Sequence, residues 1–120
     1  MSNNEILDPQ AIEALRSLSP EADSAFLHEL IAIYLEDTPK QLVELQEALT
    51  RQDAAKVTRA AHTIKGSSGN FGAVEFARLA REIEEQGKAN NLAAAAAGLG
   101  GLKAHYTLVV DALKRIDRGT

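Results

Sequence analysis

A chain of 120 residues with 45% apolar and 25% charged residues has room for one packed core and no second domain, and its composition is that of a globular protein. It has no cysteine, which excludes disulfides, thiolate metal sites and cysteine nucleophiles. Its net charge of −4, without a basic cluster interleaved with aromatics, argues against a nucleic-acid partner.

Every segment with a clear period shows the helical one, so the expected fold is all-α. Asp8-Pro9 reads as an N-cap and first-turn pair, followed by Ile12, Leu15 and Leu18 on a short helix over about 9–18. Ser19-Pro20 and Asp23 are competing starts for a second helix, whose stripe is Leu27, Leu30, Ile31 and Tyr34. Thr38-Pro39-Lys40-Gln41 has the form of a capping box, which predicts a bend or break there. Leu42, Leu45 and Leu49 continue the stripe to about Gln52, giving one kinked helix or two nearly collinear ones.

Asp53 caps a helix running to about Gly69, and Asn70-Phe71-Gly72 is the turn after it, with Phe71 expected to plug the bundle end. Phe76, Leu79, Ala80 and Ile83 mark a helix from Ala73 to Lys88, with Gly87 as its stop signal. Asn90 or Asn91 caps the last helix, which carries Leu102, Tyr106, Val109, Leu113 and Ile116 on one face and is weakened near Gly100. Long helical segments joined by short turns specify an up-down antiparallel four-helix bundle over about 20–117, with the short N-terminal helix as an extra cover and 1–120 as a single domain. No apolar run approaches the roughly 18 residues of a membrane span, and the polar start at Met1 lacks the parts of a signal peptide. The expectation is a cytoplasmic protein without membrane contact, free-standing rather than cut from a larger kinase.

His62 is the candidate for chemistry. At 100° per residue Val57, Ala61, Ile64 and Ser68 share one arc, and His62 points away from it toward water. A lone exposed histidine is most often a surface residue without a role, but here the neighbours matter. Any side chain larger than glycine at Gly66 would lean back across the imidazole, and Gly69 falls on the same outer face. Each glycine inside a helix costs about 1 kcal/mol relative to alanine, so local stability has been given up around this residue. Lys65 lies three positions on, where its ammonium can neutralise a group attached to the ring, and Thr58 lies one turn before. Ser67 and Ser68 add hydroxyls; Ser68 points inward, toward a backbone carbonyl. Imidazoles, with an ordinary pKa of about 6.5, are good nucleophiles near neutrality. An exposed nucleophile with a nearby cation and room for a partner suits phosphoryl transfer, which depends on positioning and charge compensation.

His28 and His105 read as packing or boundary residues, and Glu82, Glu84 and Glu85 as a solvated helix face. A carboxylate-bridged metal site would need Glu-x-x-His pairs, but Ala25, Arg59 and Leu102 stand three before the histidines. No metal or cofactor is expected. A phosphate-cradling loop of the Gly-x-x-x-x-Gly-Lys-Ser/Thr type is also missing, so the chain is not expected to hydrolyse ATP.

The run His62-Thr63-Ile64-Lys65-Gly66-Ser67-Ser68-Gly69-Asn70-Phe71-Gly72 resembles the signature of histidine phosphotransfer (HPt) domains, with lysine third, glycine fourth and glycine tenth after the histidine. Phe26-Leu27-His28-Glu29-Leu30-Ile31 and Tyr34-Leu35-Glu36-Asp37-Thr38-Pro39 look like the second helix of that family, and the likeness runs from about Asp8 to Ile116. The resemblance implies a monomeric relay in which His62 takes a phosphoryl group from the aspartate of one receiver domain, such as that of a hybrid histidine kinase, and passes it to another. It implies that Lys65 pairs with the phosphate, Gly66 leaves space and Ser67 donates a hydrogen bond, while Thr58, Arg59, Gly69, Glu84 and Lys88 surround the site as partner-docking positions. Magnesium is expected on the receiver only. Where some members place a glutamine against the histidine this chain has Glu84, which would repel a phosphorylated ring, with Lys88 as a compensating cation. The alternative is an adaptor that docks on a receiver or kinase without being phosphorylated.

Overall fold

The computed structural model describes residues 6–18 and 25–117, and among the described residues there is no strand. The helices are α1 (Pro9–Arg16), α2 (Ala25–Thr50), α3 (Ala54–Gly69), α4 (Val74–Lys88) and α5 (Leu92–Asp117). Consecutive long helices pack on one another and α2 closes against α5, so the four form the expected bundle with α1 laid against α2. None of the described helices is long and apolar enough to cross a membrane.

The aliphatic stripes converge as their spacing requires. Leu27, Ile31 and Leu45 of α2 meet Val57, Ala61 and Ile64 of α3, Ala80 and Ile83 of α4, and Leu102, Val109 and Leu113 of α5, all of them buried. Fully burying one such large aliphatic side chain is worth about 1.5–3 kcal/mol. Four of the five aromatics gather at one end, where Phe71 lies 5.1 Å from the Tyr34 ring and Phe76 5.6 Å from Tyr106. Phe71 therefore closes the core beside the α3–α4 turn. His105 is a buried packing residue stacked on Phe76; burial lowers its pKa, with Glu75 opposing. His28 is half-buried on α2.

Asp8 caps α1 through Gln10 N–H at 2.9 Å, and its own N–H reaches Gly72 O at 3.0 Å. Gly72 has φ +69°, and a Cβ there would fall 2.5 Å from Asp8 Cβ, so only glycine lets the α3–α4 turn meet α1. Asp53 caps α3 as the sequence implies, accepting from Lys56 N–H at 3.2 Å.

Two expectations change. The starts proposed at Ser19-Pro20 and Asp23 lie outside the described residues, but α2 then runs unbroken through Pro39 to Thr50. The capping box does not form, because Thr38 is turned into the core and is 1% exposed. Burial of Tyr34, Thr38, Leu42 and Leu45 along one stripe outweighs the backbone hydrogen bond that Pro39 cannot make. Gly87 does not stop α4 either. It is buried inside the helix against α3, and the chain turns at Asn90 (φ +57°), whose N–H bonds Gly87 O while Asn91 N–H bonds Gln86 O. Asn91 is then the cap of α5, which continues through Gly98, Gly100 and Gly101 as one helix.

Candidate histidine site

Residues of α3 alternate between the bundle and solvent with the helical period, and His62 stands on the outer side with its side chain 65% exposed. A Cβ built at Gly66 meets no atom within 4 Å, and the same holds at Gly69. The space over the imidazole is open, as the glycine spacing predicts.

Beneath the ring lies Glu84, which the residue pattern assigned to a solvated face and the family resemblance set against the histidine. Glu84 does not belong to the solvated face of α4 with Glu82 and Glu85: its side chain is only 5% exposed, wedged between α4 and α3. The reason is register. Ala80, Glu84 and Gly87 recur at i, i+4 and i+7, which places Glu84 on the side of α4 that faces α3. One carboxylate oxygen, Oε2, lies 2.9 Å from His62 Nδ1, and the other, Oε1, lies 2.8 Å from Lys65 Nζ. Lys88 Nζ approaches Oε2 from the outer side at 3.5 Å. Burial of Glu84 would raise its pKa, but the hydrogen bonds and charges of Lys65 and His62 outweigh it and hold the carboxyl below its usual value. The carboxylate is thus ionised and can only accept, so the proton of the bond to His62 belongs to Nδ1. In the neutral imidazole this tautomer puts the lone pair on the opposite ring nitrogen, Nε2.

The structure brings His62, Lys65, Glu84 and Lys88 into one cluster. Lys65 is not a free ammonium but sits in an ion pair with Glu84, 31% exposed. The spacing between α3 and α4 that permits these distances is fixed by Gly87, since a Cβ there would fall 2.6 Å from Thr58 Oγ1. Thr58 is half-buried, and its hydroxyl donates to Ala54 O at 2.9 Å. Ser67 Oγ donates back to Thr63 O at 3.1 Å and Ile64 O at 3.3 Å, which occupies the hydroxyl within its own helix. Ser68, expected on a backbone carbonyl, instead bonds the Tyr34 hydroxyl at 2.6 Å across the α2–α3 contact. Arg59 is exposed on the flank of α3 that faces α2, away from the Glu84 cluster.

The model of the Hpt domain family matches residues 29–117. The chain is similar to multistep phosphorelay regulator 1 of Schizosaccharomyces pombe (strain 972 / ATCC 24843), with 22% identity over 87 residues, which is 72% of this chain and 30% of that protein. It therefore spans less than a third of that relative's length. It is also similar to the crystal structure of histidine-containing phosphotransfer protein B (HptB) from Pseudomonas aeruginosa PAO1, at TM-score 0.87 and 25% identity, covering 96% of each chain. An exposed histidine on the third helix of such a bundle, inside the matched span, completes the assignment: the chain belongs to the Hpt domain family, the histidine phosphotransfer domains of phosphorelays.

Proposed function

We propose that His62 is the residue that carries the phosphoryl group, and that Nε2 is the atom to which it is attached. The observation that carries this reading is the 2.9 Å bond from Nδ1 to buried Glu84 on an otherwise exposed ring. Hpt domains in phosphorelays work with receiver domains, so the donor is taken to be the aspartyl phosphate of a receiver. The Nε2 lone pair attacks phosphorus, an N–P bond forms, and the P–O bond to the aspartate breaks with its electron pair leaving on the receiver's carboxylate. No proton needs to move, because the Nδ1 proton stays on the ring, which becomes an imidazolium against Glu84. A negatively charged partner on the Nδ1 side thus stabilises the loaded ring, where a carboxylate beside Nε2 would repel the phosphoryl oxygens.

Lys65 and Lys88 then stand ready to leave Glu84 for the phosphoryl oxygens, and Gly66 leaves the approach clear. Return to a second receiver reverses the step with neutral imidazole as leaving group. In this reading the acceptor aspartate and its magnesium ion belong to the receiver, and the domain acts as a monomer without nucleotide or metal of its own; a receiver of a hybrid histidine kinase is a fitting donor, in the cytoplasm. The test is incubation with a phosphorylated receiver domain, followed by assay for acid-labile, alkali-stable label. His62→Gln is expected to remove the label while the bundle stays folded, and label that persists in it sinks the proposal.

A further inference from the structure

His62 has two unlike flanks. On the α4 side lie Thr58 and Lys65 with the Glu84 cluster; on the α2 side lie Arg59 and Thr63, which form one wall of a groove of about 330 Å³ between α2 and α3. Glu44, Glu47 and Arg51 of the α2 end form the other wall, and Lys56 joins Arg59 along α3. Among the described residues none of these five charged side chains makes an ion pair, whereas Glu75, Glu82, Glu84 and Glu85 of α4 all do. The sequence of α3 holds Lys56, Arg59 and Lys65 and no acidic residue, although the chain as a whole is negative.

We infer that this groove is where the domain chooses among receivers, by meeting charges of both signs on the docked partner; the inference rests on the relay reading above. The argument is one of distance and solvation. At 1.5 Å rise and about 100° per residue Arg59 is about 4.5 Å along the α3 axis and about 60° round it from His62, and Lys56 about 9 Å along and about 120° round, both toward α2. A standard interface covers about 800 Å² on each partner, a disc of about 16 Å radius, so a domain that brings its aspartate to Nε2 with its footprint toward α2 covers Arg59 and extends over the groove. Exposed charges need no partner in water, but covered ones must be paired or they oppose docking. A receiver that presents carboxylates to Arg51, Lys56 and Arg59 and a cation to Glu44 and Glu47 is accepted, and one with the wrong pattern is turned away before chemistry.

The test is rapid-mixing phosphotransfer from a panel of phosphorylated receiver domains, titrated at several salt concentrations, with the full chain and two double variants. For the preferred receiver, Lys56→Glu with Arg59→Glu is expected to raise the half-saturating concentration at least tenfold and to flatten its salt dependence, while the transfer rate at saturation changes less than twofold. Glu44→Lys with Glu47→Lys is expected to weaken docking as well. Tighter docking by that second variant would show that the partner reads positive charge alone and would overturn the two-sign assignment. Unmoved half-saturation and salt dependence, with His62 still labelled, would overturn the inference and leave the relay reading standing. A wild-type chain that takes label from no receiver would overturn both. Helical circular dichroism melts of each variant verify that the bundle is folded.

Discussion

Gly87→Ala probes the helix spacing on which the histidine site depends. The added Cβ would lie 2.6 Å from Thr58 Oγ1, 3.1 Å from Val57 Cγ1 and 3.2 Å from the Thr58 backbone nitrogen. The hydroxyl can rotate only by giving up its 2.9 Å bond to Ala54 O, and the backbone nitrogen cannot rotate at all, so α3 and α4 must separate. Overpacking costs about 1–3 kcal/mol and a lost hydrogen bond about 0.5–1.5 kcal/mol, against roughly 1 kcal/mol gained from alanine's helix propensity. The net expectation is a destabilisation of about 1–3 kcal/mol, or a fall in the thermal midpoint of roughly 4–12 °C for a domain of this size. Gly100→Ala is the control: a Cβ there meets nothing within 4 Å, so that variant should gain about 0.5–1 kcal/mol. Gly87 lies three residues after Glu84 and Thr58 four before His62, so the same separation should lengthen the His62–Glu84 bond and slow transfer. Thermal denaturation followed by circular dichroism, with label transfer on the same samples, measures both effects. A Gly87→Ala protein as stable as wild type or more so would refute the spacing argument, since that is the outcome for a glycine that merely ends a helix.

Two further outcomes are expected. Gly66→Leu should retain or slightly raise stability, by up to about 0.8 kcal/mol, because the position is exposed and leucine is the better helix former; label transfer to His62 should fall more than tenfold, and undiminished transfer would remove the access role given to Gly66. Glu84→Gln should lower stability at pH 7 by about 1–2 kcal/mol, since glutamine still accepts from Nδ1 but forms no ion pair. The folded pKa of Glu84 is lowered, so its contribution is present above the ordinary carboxylate value of about 4.3 and is lost as pH falls through the folded value. The gap between the urea midpoints of the two proteins should therefore narrow as the pH is taken below about 4.3, and a gap that stays constant down the acid range would contradict the ion-pair account.

The sequence carried the bundle and its histidine because both are written in one helix's period: Ala61, Ile64 and Ser68 must face in, so His62 must face out. The Asp8 and Asp53 caps were legible for the same local reason. Tertiary contacts decided the rest. Thr38-Pro39 has the local form of a helix start, yet the burial of Thr38 among its stripe keeps α2 continuous. Gly87 looks like a stop until Thr58 is placed against it. Glu84 reads by composition as one of three surface acids, whereas the family resemblance sets it against the histidine and the spacing Ala80, Glu84, Gly87 puts it on the inner face of α4. What the spacing could not supply is the pair of ammonium groups that makes a buried carboxylate tolerable there, because Lys65 comes from the neighbouring helix.

On the proposed chemistry the cluster around Glu84 would also gauge whether the domain is loaded. Two ammonium groups face one carboxylate, so these three groups of the empty site carry a single net positive charge beside the ring. On the proposed chemistry the arriving phosphoryl unit brings one negative charge in net, which cancels it. A partner can therefore distinguish a full carrier from an empty one by local field alone, without any movement of the helices. An arriving donor meets attraction, and the donor that has just discharged, with its aspartate bared, meets a neutral face and is free to depart.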